Sequence, residues 1–389
     1  MTPLRLLVAV AVLVAAGAVA AFAVSHRSRA ASPSPGVTTT TRTSGASSTS
    51  TSVPPTEAPL RVTAISPTAG ASSVGGSADV RVSFSAAIAP ASPLPSFSPP
   101  QPGTWSRTAA NSLVFAPALA YLPLSSIKLV VPAGAQGVRG ADGSRLSRSV
   151  VDRFRIEDGS TTRLVQLLGL LDYSPVSFTA AGSNVAPSDE TAQRSALFHP
   201  PTGVFRWRNR GWPEQLTALW NAHSYGVFTK GLVMEFEADH GLPTNGTTST
   251  TLWQSLLEAL AAGQHNTGGY NYALGNQAQP ESLTIWHDGK VAVHVPANTG
   301  IAQAPTADGS FPVFARFRRQ IMRGANPDGS KYADPVQYVA YFNGGDAVHY
   351  FPRASYGIPQ SLGCIELDLS DAAKAWPYLA YGTLVTVIN

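Results

Sequence analysis

The chain has 389 residues, only 13% of them charged, and carries Gly 34 and Pro 31, a composition that excludes a coiled coil or helical bundle. Lys+Arg 27 against Asp+Glu 23 leaves a net charge of +4, dispersed without the basic run that lines a nucleic-acid groove, so no nucleic-acid partner is expected. One cysteine, Cys364, excludes internal disulfides, Cys-based zinc sites and Cys-ligated iron–sulfur clusters.

At roughly 100–200 residues per domain the length fits two or three folded units. Residues 1–31 read as a signal anchor. A basic start at Arg5 precedes Leu6–Val24, 19 consecutive apolar or glycine residues, close to the roughly 20 that cross a bilayer. Small residues such as Ala18 and Ala20 would also suit a cleaved signal. Either way the body of the chain is expected outside the cytoplasmic membrane, in the cell envelope, with the membrane as a partner of the N-terminal helix. Residues 32–60 read as a disordered linker: from Ser32 to Pro59, 20 of 28 residues are Ser, Thr or Pro. Such a stretch buries too little apolar surface to offset its ordering entropy.

Residues 61–158 predict a β-sandwich. Val80, Val82 and Phe84 alternate, as do Phe154 and Ile156, and Ile127–Val131 is a short apolar run. Turn signals at Ser66-Pro67, Pro99-Pro100 and Gly140–Gly143 separate them. No acid pair, histidine cluster or phosphate loop appears here, and the segment reads as a spacer. Residues 159–265 change period. Leu164, Leu167, Leu168 and Leu171 fall at helical spacing. After an irregular stretch, Pro213 is placed to start a helix carrying Leu216, Leu219, Trp220 and His223. Two more one-sided stripes follow, around Leu232–Phe236 and Leu252–Leu260. The aromatics of this helical module read as core rather than as a ligand shelf.

Residues 266–389 carry the chemistry. Leu283, Ile285, Val291, Val293 and Val295 alternate around Asp288-Gly289, a pair that favours a type I′ hairpin turn. The stretch 315–341, with Arg316, Arg318, Arg319 and Tyr332, reads as a lid or a solvated basic loop. A helix capped by Ser370 and a strand, Leu384–Ile388, end the chain. A lone cysteine is a buried small hydrophobe or a nucleophile, and its neighbours decide. Gly363 leaves room for substrate and for backbone N–H donors. An acyl-transfer site needs a thiolate, a base and oxyanion donors. His349 is the last histidine, so a histidine base must precede Cys364, the reverse of the papain-like order.

These segments resemble known families. Residues 61–158 are similar to bacterial Ig-like domains. The run Tyr225–Phe228, Phe236–Leu242, Asn245-Gly246 and Thr251–Trp253 resembles a peptidoglycan-binding module. The C-terminal segment resembles the YkuD-type catalytic domain of L,D-transpeptidases, whose pattern is Thr-Gly, Pro-Thr-Pro-x-Gly, His, then Ser/Thr-His-Gly-Cys-x-Arg/Asn. Here these read Thr299-Gly300, Pro305–Gly309, His349 and Ser361-Leu362-Gly363-Cys364-Ile365-Glu366.

The resemblance implies a multidomain, mainly β chain acting on peptidoglycan stem tetrapeptides of the sacculus. It implies Cys364 as nucleophile, His349 as base, Leu362, Gly363 and Cys364 N–H groups as oxyanion donors with Ser361 shaping their turn, and no metal or cofactor. Arg316 and Tyr332 would meet stem carboxylates. Leu362 replaces the usual His, and Glu366 the usual Arg or Asn. A carboxylate facing the thiol would oppose its ionisation, so Glu366 is expected to turn away, toward a lid arginine or an incoming ammonium. A 3→3 transpeptidase leads, with an inactive wall-binding protein and a cysteine L,D-carboxypeptidase as alternatives.

Overall fold

The computed structural model describes residues 59–389. The predicted anchor, and the predicted linker up to residue 58, lie outside them. Among the described residues no helix is long and apolar enough to cross a membrane.

The first seven strands are β1 (Val62–Ser66), β2 (Val80–Phe84), β3 (Ser96–Ser98), β4 (Gly103–Ala109), β5 (Ser112–Pro117), β6 (Ser126–Val131) and β7 (Val150–Arg155). They form two antiparallel sheets, ordered β1-β2-β5-β4 and β3-β6-β7. Side chains alternate across a strand, so Val80, Val82 and Phe84 turn inward while Arg81 stays out. Leu113, Phe115, Ile127, Leu129, Val131 and Phe154 complete one core shared by both sheets.

Next come α1 (Thr161–Leu170), β8 (Val176–Ala180), α2 (Glu190–Ala196), β9 (Gly203–Trp207), α3 (Glu214–Thr217), α4 (Val227–Asp239) and α5 (Thr250–Ala261). The apolar stripe of α1 is fully buried. Two expectations are corrected here. The stretch read as irregular contains the antiparallel pair β8–β9. The helix expected from Pro213 to His223 stops after α3. Asn221 Oδ1 accepts the His223 N–H at 2.8 Å, a local bond that competes with helix continuation. Trp220 packs edge-on against Phe205 and Phe228, so tertiary packing overrides the helical period. Trp253 is fully buried and its indole N–H donates to Asp158 Oδ1 at 2.9 Å, which makes it core.

The remaining elements are β10 (Asn271–Asn276), β11 (Ser282–His287), β12 (Lys290–Pro296), β13 (Gly309–Pro312), β14 (Ala315–Ala325), β15 (Lys331–Asn343), β16 (Asp346–Tyr350), β17 (Ile365–Leu367), α6 (Leu369–Ala375) and β18 (Leu384–Ile388). They build sheets ordered β12-β11-β10-β18-β13 and β14-β15-β16-β17 around a core that includes Leu283, Ile285, Val348, Ile365 and Val385. Asp288 (φ 49°) and Gly289 (φ 78°) turn β11 into β12. The stretch expected as a lid or loop is a long hairpin, β14–β15, paired from Ala315↔Tyr341 to Ala325↔Lys331. Its tip is Asn326–Ser330, closed by the Asn326 N–H to Ser330 O at 2.8 Å. The cap of α6 is Asp368, whose carboxylate accepts the Asp371 N–H at 2.7 Å; Ser370 lies inside the helix.

The helical segment and the C-terminal sheet share one core. Leu232, Phe236 and Trp253 cluster with Tyr270, Tyr272 and Leu384. A Cβ on Gly231 of α4 would stand 2.6 Å from Gly382 O. The boundary expected at residues 265 and 266 is therefore one of sequence pattern and not of packing. Glu235 sits at this junction and accepts from Asn266 Nδ2 at 3.0 Å. Burial, then Asp239 and Asp288, push its carboxyl up to about 8. A carboxyl raised by folding stabilises the fold while protonated and loses that contribution as pH rises from the ordinary carboxylate range through its folded pKa. Thermal melts should therefore show stability falling as pH climbs through about 8, and Glu235→Gln should flatten that fall; an unchanged pH profile in the variant would count against the assignment.

Candidate active site

Strand β16 runs parallel to β17 with Val348↔Ile365, His349↔Glu366 and Tyr350↔Leu367 in register. Paired residues project to the same face, so His349 and Glu366 share one. Two residues back from Glu366, Cys364 comes to the same face beside Ala347. All three line a cavity of about 590 Å³, together with Tyr332, Asp346, Arg353 and Leu362.

His349 is 2% exposed. Its Nδ1 lies 2.9 Å from Tyr350 O, so Nδ1 carries the proton and Nε2 is left as the acceptor. Burial drives its pKa down to about 4; the Tyr350 contact opposes this and Arg353 adds to it. Cys364 is half-buried, and its sulfur lies 3.8 Å from Gly345 O. Burial pushes the thiol up to about 12; a backbone N–H of Ala347 works against that, while Asp346 and Glu366 reinforce it. The resting pair is thus neutral thiol and neutral imidazole. Such a pair holds no stored ion pair, and a nucleophile of this kind would need its proton taken by a base during attack.

The turn bearing the thiol is held from both sides. Ser361 Oγ donates to Cys364 O at 2.6 Å and accepts the Gly363 N–H at 3.2 Å. The Ser361 N–H donates to Thr299 O at 2.9 Å, and Asn298 and Glu366 exchange two backbone bonds of 2.9 Å. Thr306 Oγ1 accepts the Gly300 N–H at 2.8 Å, and Glu281 accepts that of Thr299 at 2.6 Å. Thr299-Gly300 and Pro305–Gly309 are thereby braces for the Ser361–Cys364 turn. Gly363 has φ 111°, and a Cβ there would stand 2.5 Å from Asp346 Oδ1. Its N–H is taken by Ser361, which leaves the Leu362 and Cys364 N–H groups of the turn without an acceptor among the described residues.

Glu366 is 4% exposed and accepts from Arg353 Nε at 2.7 Å and Nη2 at 2.9 Å. Nη2 also reaches Gln360 O at 2.9 Å, and the guanidinium lies 4.7 Å over Phe351. The arginine that takes Glu366 belongs to the loop after β16, not to the 315–341 segment. Tyr332 lines the cavity, its ring lying where a Cβ on Gly324 would be 2.3 Å from the hydroxyl. The expectation that Arg316 meets substrate is corrected. Its Nη2 donates to Trp376 O at 2.8 Å and its guanidinium lies 4.1 Å over the Trp376 ring, which commits it to the base of the hairpin. Sequence reasoning missed Arg353 and Asp346. Neither stands in a motif, and only the fold brings them to Cys364. Among the described residues no group of three His, Cys, Asp or Glu is arranged to hold a metal.

Arg353→Met would strand a buried carboxylate, which typically costs about 3–5 kcal/mol. Denaturant titration should show a loss of that order, and adding Glu366→Leu should recover most of it. A single variant as stable as the parent would mean the pair is not buried in solution.

Several solved structures are similar to the chain. An L,D-transpeptidase from Mycobacterium smegmatis is 15% identical, with 85% of this chain and 100% of that chain covered and a TM-score of 0.29. L,D-transpeptidase 3 from Mycobacterium tuberculosis is 16% identical, with 84% and 98% covered and a TM-score of 0.28. The catalytic domain of an E. faecium L,D-transpeptidase is 26% identical, with 30% and 96% covered and a TM-score of 0.29. No curated protein matches the chain. Residues 271–387 match the family of the L,D-transpeptidase catalytic domain, YkuD.

Proposed function

We propose that the chain is a cysteine L,D-transpeptidase that forms 3→3 cross-links between peptidoglycan stem peptides. The observation that carries this reading is the convergence, in one cavity, of the Cys364 thiol, the His349 imidazole and the Leu362–Cys364 turn. Cys364 attacks the carbonyl of the third residue of a tetrapeptide stem while His349 Nε2 takes the thiol proton. The Leu362 and Cys364 N–H groups stabilise the oxyanion. Collapse expels the terminal residue as an amine protonated by the imidazolium, leaving a thioester. A side-chain amine on the third residue of a second stem attacks that thioester, forms the new amide and returns the thiol.

Intact mass after incubation with a tetrapeptide stem should show the thioester. Cys364→Ala should abolish it, and His349→Ala should slow its formation by about 10²–10⁴-fold, the usual worth of a general base. Because burial pushes the thiol up to about 12, iodoacetamide alkylation of the resting protein should rise through the alkaline range without levelling off near the ordinary thiol pKa of about 8.5. A wild-type thiol inert to both reagents would favour the inactive wall-binding alternative.

The helical segment 159–265 is read as the wall-binding part of this function, on its resemblance alone. The chain as a whole is read as exported, with residues 32–389 facing the cell wall behind the apolar run Leu6–Val24. Protease added to spheroplasts should degrade the C-terminal segments; full protection would overturn that placement.

A further inference from the structure

Aminolysis of a thioester needs a place for the acceptor, which arrives as an ammonium ion, and nothing assigned so far provides one. Glu366, the carboxylate that sequence reasoning offered, is taken by Arg353 through two hydrogen bonds. The cavity holds two other carboxylates, Asp334 and Asp346. Asp334 lies on the wall formed by the hairpin, opposite Met322. Asp346 opens β16 immediately after Gly345, whose carbonyl contacts the Cys364 sulfur at 3.8 Å. Its Oδ2 accepts from Asn343 Nδ2 at 3.1 Å. Its Oδ1 lies against the backbone of Gly363, within 2.5 Å of where a Cβ would stand. Among the described residues no cation pairs with it. An unpaired, half-buried carboxylate beside a nucleophilic thiol opposes thiolate formation, so it hinders the first half-reaction. It suits the second, in which a cation must be drawn to the same spot.

We propose, on the acyl-transfer reading above, that Asp346 receives the ammonium of the acceptor beside the thioester and takes its first proton. The freed amine then attacks: the N–C bond forms, the C–S bond breaks, and the second proton passes through His349 Nε2 to the departing sulfur. Asp346 returns its proton to water. This makes Asp346 the residue that separates transfer to an amine from hydrolysis. Burial already raises its pKa, with Asn343 and an N–H of Ala307 opposing, which favours a carboxyl able to hold that proton.

The test is the partition of the pre-formed thioester in Asp346→Asn, an isosteric change that keeps an acceptor for Asn343. Thioester formation should proceed at the wild-type rate or faster, since a charge opposing the thiolate is gone. Hydrolysis should persist. Transfer to a stem bearing an ammonium should fall by about tenfold or more, as for truncating one partner of a charge pair. Transfer to hydroxylamine, largely unprotonated at neutral pH, should be unchanged. Equal losses with both nucleophiles would reduce Asp346 to a turn residue, and an unchanged partition would remove any role in acceptor binding. A wild-type protein that forms no thioester would instead sink the acyl-transfer reading itself, and this proposal with it.

Discussion

A carboxylate buried beside a thiol makes the thiolate costly, and the parallel register of β16 with β17 places Glu366 on the same face as Cys364. Arg353 offsets part of this conflict, although Glu366 still adds to the rise of the thiol pKa. Its two hydrogen bonds to Glu366 tie up both carboxylate oxygens, and its third, to Gln360 O, closes the loop between β16 and β17 just before the Ser361–Cys364 turn. A buried ion pair is weak evidence for net stability, because desolvation offsets the attraction. Its stronger effect here is geometric: the carboxylate faces the guanidinium, and the loop carrying Arg353 is closed onto the site.

The same burial shapes the chemistry. With the thiol raised and the imidazole lowered, neither resting group is charged, and no preformed ion pair stands ready. The backbone N–H groups of Leu362 and Cys364, in the turn that bears the thiol, have no acceptor among the described residues. Preorganised dipoles of this kind act most strongly in a low-dielectric pocket. The hairpin β14–β15 forms one wall of that pocket, and Arg316, stacked on Trp376, ties the base of the hairpin to the segment after α6.

The helical segment is part of the support. Its core runs into Tyr270, Tyr272 and Leu384, residues of the sheet whose outer strands lead to the Thr299-Gly300 and Pro305–Gly309 braces. Its packing partners β10 and β18 pair directly with each other. Excising the helical residues would expose this shared core, so point substitutions are the better probes of any wall-binding role.

Local pattern in the sequence determined a good deal. Alternating Val80, Val82 and Phe84, the Asp288-Gly289 turn and the spacing of Leu164, Leu167 and Leu168 report strands, a hairpin and a helix because side-chain direction follows from nearby residues alone. The order His349, Ser361, Gly363, Cys364 likewise named its own candidates, since a lone cysteine after a glycine has few readings. What the tertiary structure decided was everything that depends on register and on residues far apart in the chain. Trp220 left its helical period to pack on Phe205 and Phe228. The polar stretch with Arg316 and Tyr332 became a hairpin because its two halves pair with each other and, through β15, with β16. Arg353 and Asp346 carry no motif; they matter because the fold brings the first onto Glu366 and the second against the Gly363 backbone. Electrostatic roles of this kind depend on distance and burial, and neither is written in the order of residues.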